Sequence, residues 1–173
     1  MNKLVLVFCN LCLVLIMVSC KNEVVPKEEL GIVINEVMPF NANVVADPIT
    51  GEFDDWIEIF NLAAKDFDLS GYFLTDSKVN LTKWKFPEGT IILADSFLCV
   101  WADVDTLQSG LHTNFKLSTA GETILLLSPD LELIDRVSYD PQLLQLSFAR
   151  IPDGTGAFSW GTPTYNSRNS LTK

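Results

Sequence analysis

The sequence contains a single histidine, His112, and 12 basic side chains against 22 acidic ones. With one histidine, multi-histidine metal centres are out of reach, and a Ser-His-Asp triad would have to be built on His112 alone. The block Leu111-His112-Thr113-Asn114-Phe115 instead reads as a loop whose histidine is held by hydrogen bonds. The formal net charge of −10 repels phosphate backbones and anionic head groups. There is no Lys/Arg cluster either, so nucleic acid is not an expected partner. G-x-S-x-G, HExxH and the glycine-rich phosphate or dinucleotide loops are absent. No window carries a 3.6-residue apolar stripe, which speaks against amphipathic helices.

Cysteine is scarce, with four residues. Cys9 and Cys12 fall inside an apolar N-terminal run with no polar context, so their redox-like spacing reads as part of a leader. Cys99, between Leu98 and Val100, reads as a small core residue. A mature domain without a disulfide is expected.

The leader is what the N-terminus does contain. Met1-Asn2-Lys3 gives a positive start, and Leu4 to Val18 is apolar apart from Asn10. A membrane-spanning helix needs roughly 20 apolar residues, so this shorter run reads as a signal peptide over residues 1–19. Met17-Val18-Ser19-Cys20 resembles the bacterial lipoprotein box, with Met17 where leucine is usual. That resemblance implies a diacylglycerol thioether on Cys20, cleavage after Ser19 and acylation of the new amine. Two or more acyl chains anchor firmly, whereas one binds marginally at about 0.8 kcal/mol per buried CH₂. Lys21 in place of Asp implies sorting to the outer membrane, and Lys21-Asn22-Glu23 is similar to a surface-export tag. Residues 20–30, with Pro26 and several Lys and Glu, read as the lipidated cysteine and a polar tether. A chain starting at Cys20 loses Lys3, leaving 11 basic and 22 acidic residues, or −11.

From Gly31 onward short β-type runs alternate with turn clusters. Ile32–Val37 is a first strand, followed by a loop over Met38–Phe53. In Trp56–Phe60 the alternation puts Trp56, Glu58 and Phe60 on one face. Phe67–Leu69 and Tyr72–Thr75 follow, and Lys83–Phe86 segregates both aromatics from both lysines. Thr90–Leu93 and Phe97–Trp101 read as a hairpin over Asp95-Ser96. Phe115–Leu117 is a short strand, and Glu122–Ser128 and Glu132–Tyr139 form a hairpin across Pro129-Asp130. Ser147–Ile151 is a late strand, Pro152–Gly156 a turn, and Trp160–Lys173 a loop-like tail. Eight to ten short strands imply an all-β sandwich.

In order, Ile34–Pro39, Asp55–Asn61, Leu69–Asp76, Lys83–Pro87, Val100–Asp103, Leu111–Ser118, Ser128–Asp130 with Asp135–Val137, Arg150–Gly154 and Gly161–Thr164 resemble the lamin tail domain family. The likeness runs from Leu30 to Asn166. It implies an immunoglobulin-like β-sandwich over residues 31–166, with 167–173 as a C-terminal tail, and an interaction or targeting module in place of a catalyst. The sequence departs from the family pattern at Leu131, where a turn glycine is common, at Ala149, and at Tyr165-Asn166 in place of Pro-Gly.

Carboxylates are the remaining chemical resource. Glu36, Asp47, Glu52, Asp54, Asp55 and Glu58 cluster around the first long loop. Calcium takes six to eight oxygens, and its candidate ligands here are Glu36, Asp47, Asp54 and Asp55. EF-hand spacing is lacking, and Asp and Asn in loops commonly set turns, so no metal or other cofactor is assigned beyond the lipid on Cys20. Trp56, Trp84 and Trp101 sit in strands and read as core, whereas Trp160 is the freest to serve as a ligand platform. The resulting expectation is a non-catalytic binding or scaffold module, lipid-anchored in the cell envelope at the surface or in the periplasm, with an unidentified protein or glycan partner. A calcium-dependent adhesion or glycan-binding domain is the alternative. A nuclease or glycosidase fits less well, because paired acids need a cleft that raises one pKa.

Overall fold

The computed structural model describes residues 31–142 and 144–170. The signal peptide, Cys20 and the tether up to residue 30 lie outside the described residues. The described chain is all β, with no α-helix and eleven strands. They are β1 (Ile32–Met38), β2 (Trp56–Asn61), β3 (Phe67–Asp68), β4 (Phe73–Thr75), β5 (Trp84–Lys85), β6 (Ile91–Ile92), β7 (Phe97–Trp101), β8 (Glu122–Leu127), β9 (Leu133–Tyr139), β10 (Ser147–Ile151) and β11 (Ala157–Gly161). Eleven exceeds the expected eight to ten; β3, β5 and β6 are two-residue fragments within runs read as strands, and β11 lies partly in the stretch that reads as a tail.

The strands form a five-stranded sheet in the order β11-β10-β1-β2-β7, a four-stranded sheet β5-β4-β8-β9, and a β3-β6 pair. Every pairing is antiparallel. One face of the larger sheet contributes Ile34, Val37, Ile57, Ile59 and Val100 to the core. Leu74, Phe86, Ile124, Leu126, Ile134 and Val137 complete the same cluster. This is the period-two logic of a sandwich, each strand sending alternate side chains inward. β1 and β2, however, are buried at every position. Their second face must therefore be covered too, and the cover is the C-terminal segment.

Three local expectations are corrected. Thr90–Leu93 and Phe97–Trp101 do not form a hairpin: β6 pairs with β3 and β7 with β2, in different sheets. The link between them is pinned sideways, with Ala94 N–H on Asp66 Oδ1 at 2.9 Å and Asp95 N–H on the Ala63 carbonyl at 3.2 Å. Phe115–Leu117 is not a strand. It touches the sheet through a single bridge, Asp103 to Lys116, and its start is folded by the Thr113 hydroxyl on the Phe115 carbonyl. Trp160 is not in a loop but in β11, paired with Phe148 across the Pro152–Gly156 turn. Its ring centroid lies 4.9 Å from Phe148 and meets Tyr139 edge-on at 6.1 Å.

The departures from the family pattern keep the turn geometry. Leu131 has φ 63° and Asn166 φ 54°, the left-handed region that glycine usually fills. Asn tolerates that region and Leu does not. Ala149 sits in regular pairing opposite Glu36.

Candidate functional site

A β-bulge between Ile34 and Glu36 sets up the polar side of the larger sheet. The ladder between β1 and β10 holds only at Glu36 and Val37, so Ile34 is left without a main-chain partner on that side. Asp135 of β9 accepts its N–H at 3.0 Å, and Arg150 Nε donates to its carbonyl at 2.9 Å. Arg150 Nη2 and Asp135 Oδ2 lie 2.9 Å apart and clamp the two sheets together.

The bulged residue, Asn35, is wholly buried. Its Nδ2 donates to Asp153 Oδ1 at 2.9 Å and to Glu58 Oε1 at 3.3 Å, and its Oδ1 accepts from Gly154 N–H at 2.9 Å. Gly154 has to be glycine: φ is 72°, and a Cβ there would stand 2.3 Å from Leu62 Cδ2.

Past the bulge, Glu36 and Glu58 are direct cross-strand partners, each 0% exposed. Like charges placed opposite one another in a ladder repel, and burial penalises both ionised forms. Burial pushes the Glu58 carboxyl up to about 8, with the Glu36 charge adding to the effect. Burial also raises Glu36, against the opposing hydrogen bonds from Ser147 and Thr164. The donors come from β10 and from the segment after β11. Ser147 Oγ donates to Glu36 Oε1, and Thr164 N–H donates to the same atom at 3.0 Å. Asn166 N–H donates to Glu58 Oε2 at 2.6 Å. The Thr164 hydroxyl lies 2.7 Å from Glu36 Oε2 and also contacts Asn169 Oδ1. A hydroxyl carries one proton, so both contacts are satisfied when Glu36 holds a proton and gives it to Thr164.

Residues 162–170 thus form a strap across the second face of the sheet. Tyr165 is its apolar anchor, 5.7 Å from both Trp56 and Trp101. Arg168 lies over Phe60 at 4.8 Å and pairs with Asp95 at 2.5 Å.

A second polar cluster joins the loop after β1 to the loop after β7. His112 Nδ1 is 2.6 Å from Asp103 Oδ2, and Nε2 is 3.5 Å from Asp47 Oδ2 and 3.2 Å from the Ser109 carbonyl. All three side chains are buried. Asp47 also accepts from Ile49 N–H and the Thr50 hydroxyl, so it shapes its own loop. No serine, threonine or thiol stands beside His112 in these hydrogen bonds. The expectation of a hydrogen-bonded structural histidine matches this geometry.

The four calcium candidates are not gathered at one point by any contact. Glu36 is tied to Ser147 and Thr164, and Asp47 lies with His112. Asp55 accepts from Asn41 N–H at 3.2 Å, and burial pushes it up to about 6. Burial, with Asp103 and Glu52 nearby, raises Asp54, whose Oδ2 has no hydrogen-bond partner among the described residues. Among those residues no group of three or more His, Cys, Asp or Glu is arranged to hold a metal ion. Trp56, Trp84 and Trp101 are buried, and Trp160 is half-buried against Phe148. Cys99 is a free thiol opposite Glu58, and burial raises it well above its usual range.

Two grooves lie on the surface of the described residues. One, of about 290 Å³, runs beside β7 and is lined by Asp47, Ile49, Cys99, Leu111 and Tyr165 among others. The other, of about 340 Å³, lies on the four-stranded sheet between Lys78, Leu81, Leu125, Leu133 and Arg136. Sequence reasoning did not find the first, nor the strap residues Thr164, Asn166 and Asn169. A signal was present: Glu36 and Glu58 each fall in a mostly apolar strand, where an acid demands buried donors.

A family model described as Lamin Tail Domain matches residues 26–141. The match ends before β10, so the strap falls after it, and the likeness read from motifs up to Asn166 extends further than the matched stretch. No curated protein matches the chain.

Proposed function

The chain belongs to the lamin tail domain family, and on that premise we propose that it is a lipid-anchored, non-catalytic binding or scaffold module of a bacterial cell envelope. One observation carries the non-catalytic part: the acids best placed for chemistry are spent internally. Glu36 and Glu58 are fully buried and hydrogen-bonded to the strap, and Asp47 and Asp103 are taken up by His112. A general acid or base must reach a substrate proton, and these carboxylates face their own chain. The leader ending in Met17-Val18-Ser19-Cys20 supports the anchor, and the polar residues that follow support a tether of about ten residues between membrane and sandwich. The loops and grooves of the sandwich are then what the module offers to a partner.

The test is fractionation of cells expressing the full chain or its Cys20→Ser form. The intact protein is expected with the membranes and the variant in the soluble fraction. Membrane retention of the variant contradicts the anchor. Cross-linking on intact cells should capture a partner with the wild-type chain and lose it with the released one.

A further inference from the structure

We infer that the free edge of β7, at Phe97 and Cys99, is a docking site where an extended basic peptide adds a strand to the five-stranded sheet. The inference rests on the binding-module reading and names the mode of that binding.

The main-chain hydrogen bonds decide which groups are available. In an antiparallel ladder, alternate residues turn both N–H and C=O toward the same neighbour. Asn61 N–H donates to the Ser96 carbonyl at 3.0 Å, and Ala102 N–H to the Asp55 carbonyl at 2.7 Å. Ser96 and Ala102 therefore face the β2 side, and so do Leu98 and Val100 between them. Phe97, Cys99 and Trp101 face the other way. Trp101 is already used there: its N–H donates to the Leu111 carbonyl at 2.8 Å, and its carbonyl accepts from Thr113 N–H at 2.8 Å. That contact is a parallel bridge between Trp101 and His112, so this edge already templates an extended segment. The segment goes no further, because the chain turns at Gly110, with φ 118°, before it can run beside Cys99. The main-chain groups of Phe97 and Cys99 have no partner among the described residues.

β7 is the outermost strand of its sheet, and the covering segment protects its edge only at Trp101. Phe97–Trp101 contains no proline, no lysine and no bulge. The 290 Å³ groove lies along it, with Phe97, Leu98, Cys99 and Trp101 on one wall and Ile49, Leu111 and Tyr165 on others. Two N–H and two C=O groups at strand spacing select an extended backbone, and the apolar walls select alternating apolar side chains. The charge is selected by the acids. Asp47 lines the groove, and the chain as a whole carries a formal net charge of −10. The Asp47 charge reaches the other two titratable groups of the lining, adding to burial in raising the Cys99 thiol and in pushing the Tyr165 phenol up to about 12. The nearby cation, Arg168, is committed to Asp95 and Asp153. A peptide bearing lysine or arginine therefore fits, and an acidic one does not.

The test uses the full mature chain in detergent and a peptide of alternating lysine and valine. Residue-resolved amide exchange is read with and without the peptide. In the free protein the Phe97 and Cys99 amides should exchange at least about tenfold faster than those of Leu98 and Val100, and the peptide should slow them. The same peptide with glutamate for lysine, or N-methylated on one edge, should bind at least about tenfold more weakly. Cys99→Pro removes an outward N–H that β2 does not use, so the fold should persist while binding falls by a similar factor. Ile49→Lys, at a 63% exposed position, should weaken binding without touching the ladder. Equal affinity for the acidic peptide, no binding, or binding unaffected by both variants overturns the proposal. So does concentration-dependent protection of Phe97 and Cys99, which would identify a second copy as the occupant. A cross-linked partner found elsewhere on the sandwich would leave the module reading standing while this edge failed.

Discussion

Glu36 and Glu58 face each other across adjacent strands, both fully buried, and each gives a carboxylate oxygen to a backbone N–H of the strap, Thr164 for one and Asn166 for the other. The strap is thus bound to the sheet through two acids that cannot both ionise cheaply.

The first consequence is a pH dependence of stability. Glu58 rises in the folded state to about 8, and Glu36 rises too. A raised carboxyl pKa means that the folded chain holds protons the unfolded chain has released. Its stabilisation is complete below the unfolded value near 4.5 and is lost as pH climbs toward 8. Urea unfolding at pH 5 and pH 8 should show lower stability at pH 8, by an amount on the order of a few kcal/mol. Glu58→Gln should flatten that slope. A chain equally stable at both values would refute the buried-pair account.

Loss of the strap's anchor should be visible in tryptophan emission. Tyr165 covers Trp56 and Trp101, so Tyr165→Ala should shift emission to the red and cost about 2 kcal/mol. Thr164→Val should cost about 1–3 kcal/mol by leaving Glu36 short of a partner. Unchanged emission in Tyr165→Ala would mean the strap does not lie where described.

The clamp between the sheets gives a third prediction. Asp135→Ala orphans Ile34 N–H and takes the carboxylate partner from Arg150, and should cost about 3–5 kcal/mol. The Asp135→Ala, Arg150→Ala double variant should lose clearly less than the sum of the singles, because the two residues serve one contact. Additive losses measured by chemical denaturation would argue against the clamp.

Leu131 offers a gain. Its φ of 63° costs a leucine roughly 1–2 kcal/mol, of which glycine would return part after its own entropy loss. Leu131→Gly should raise the melting temperature by about 2–4 °C. A drop would show that its half-exposed side chain contributes more packing than strain.

Much of this was legible in the sequence. The alternation in Trp56–Phe60 put Glu58 on the face of Trp56 and Phe60, and the strap covers that face. The β8-β9 hairpin followed from two apolar runs around Pro129-Asp130. The partnership of β6 and β7 was misread because a short apolar run reports burial, not which strand it meets. Asp95-Ser96 resembled a turn, yet the link is held by Asp66 and Ala63 of an earlier loop, a contact that no local pattern encodes. The strap was missed for a related reason. Residues 162–170 are polar and aperiodic, and their role depends on two acids more than 100 positions earlier in the chain.

The anchored-module account is tested most directly by the mass of the mature protein isolated from membranes. The predicted result is an N-terminal residue Cys20 carrying a thioether-linked diacylglycerol, with the amine acylated. A mature chain whose N-terminal peptide is unmodified, or one that retains Met1 to Ser19, would contradict it.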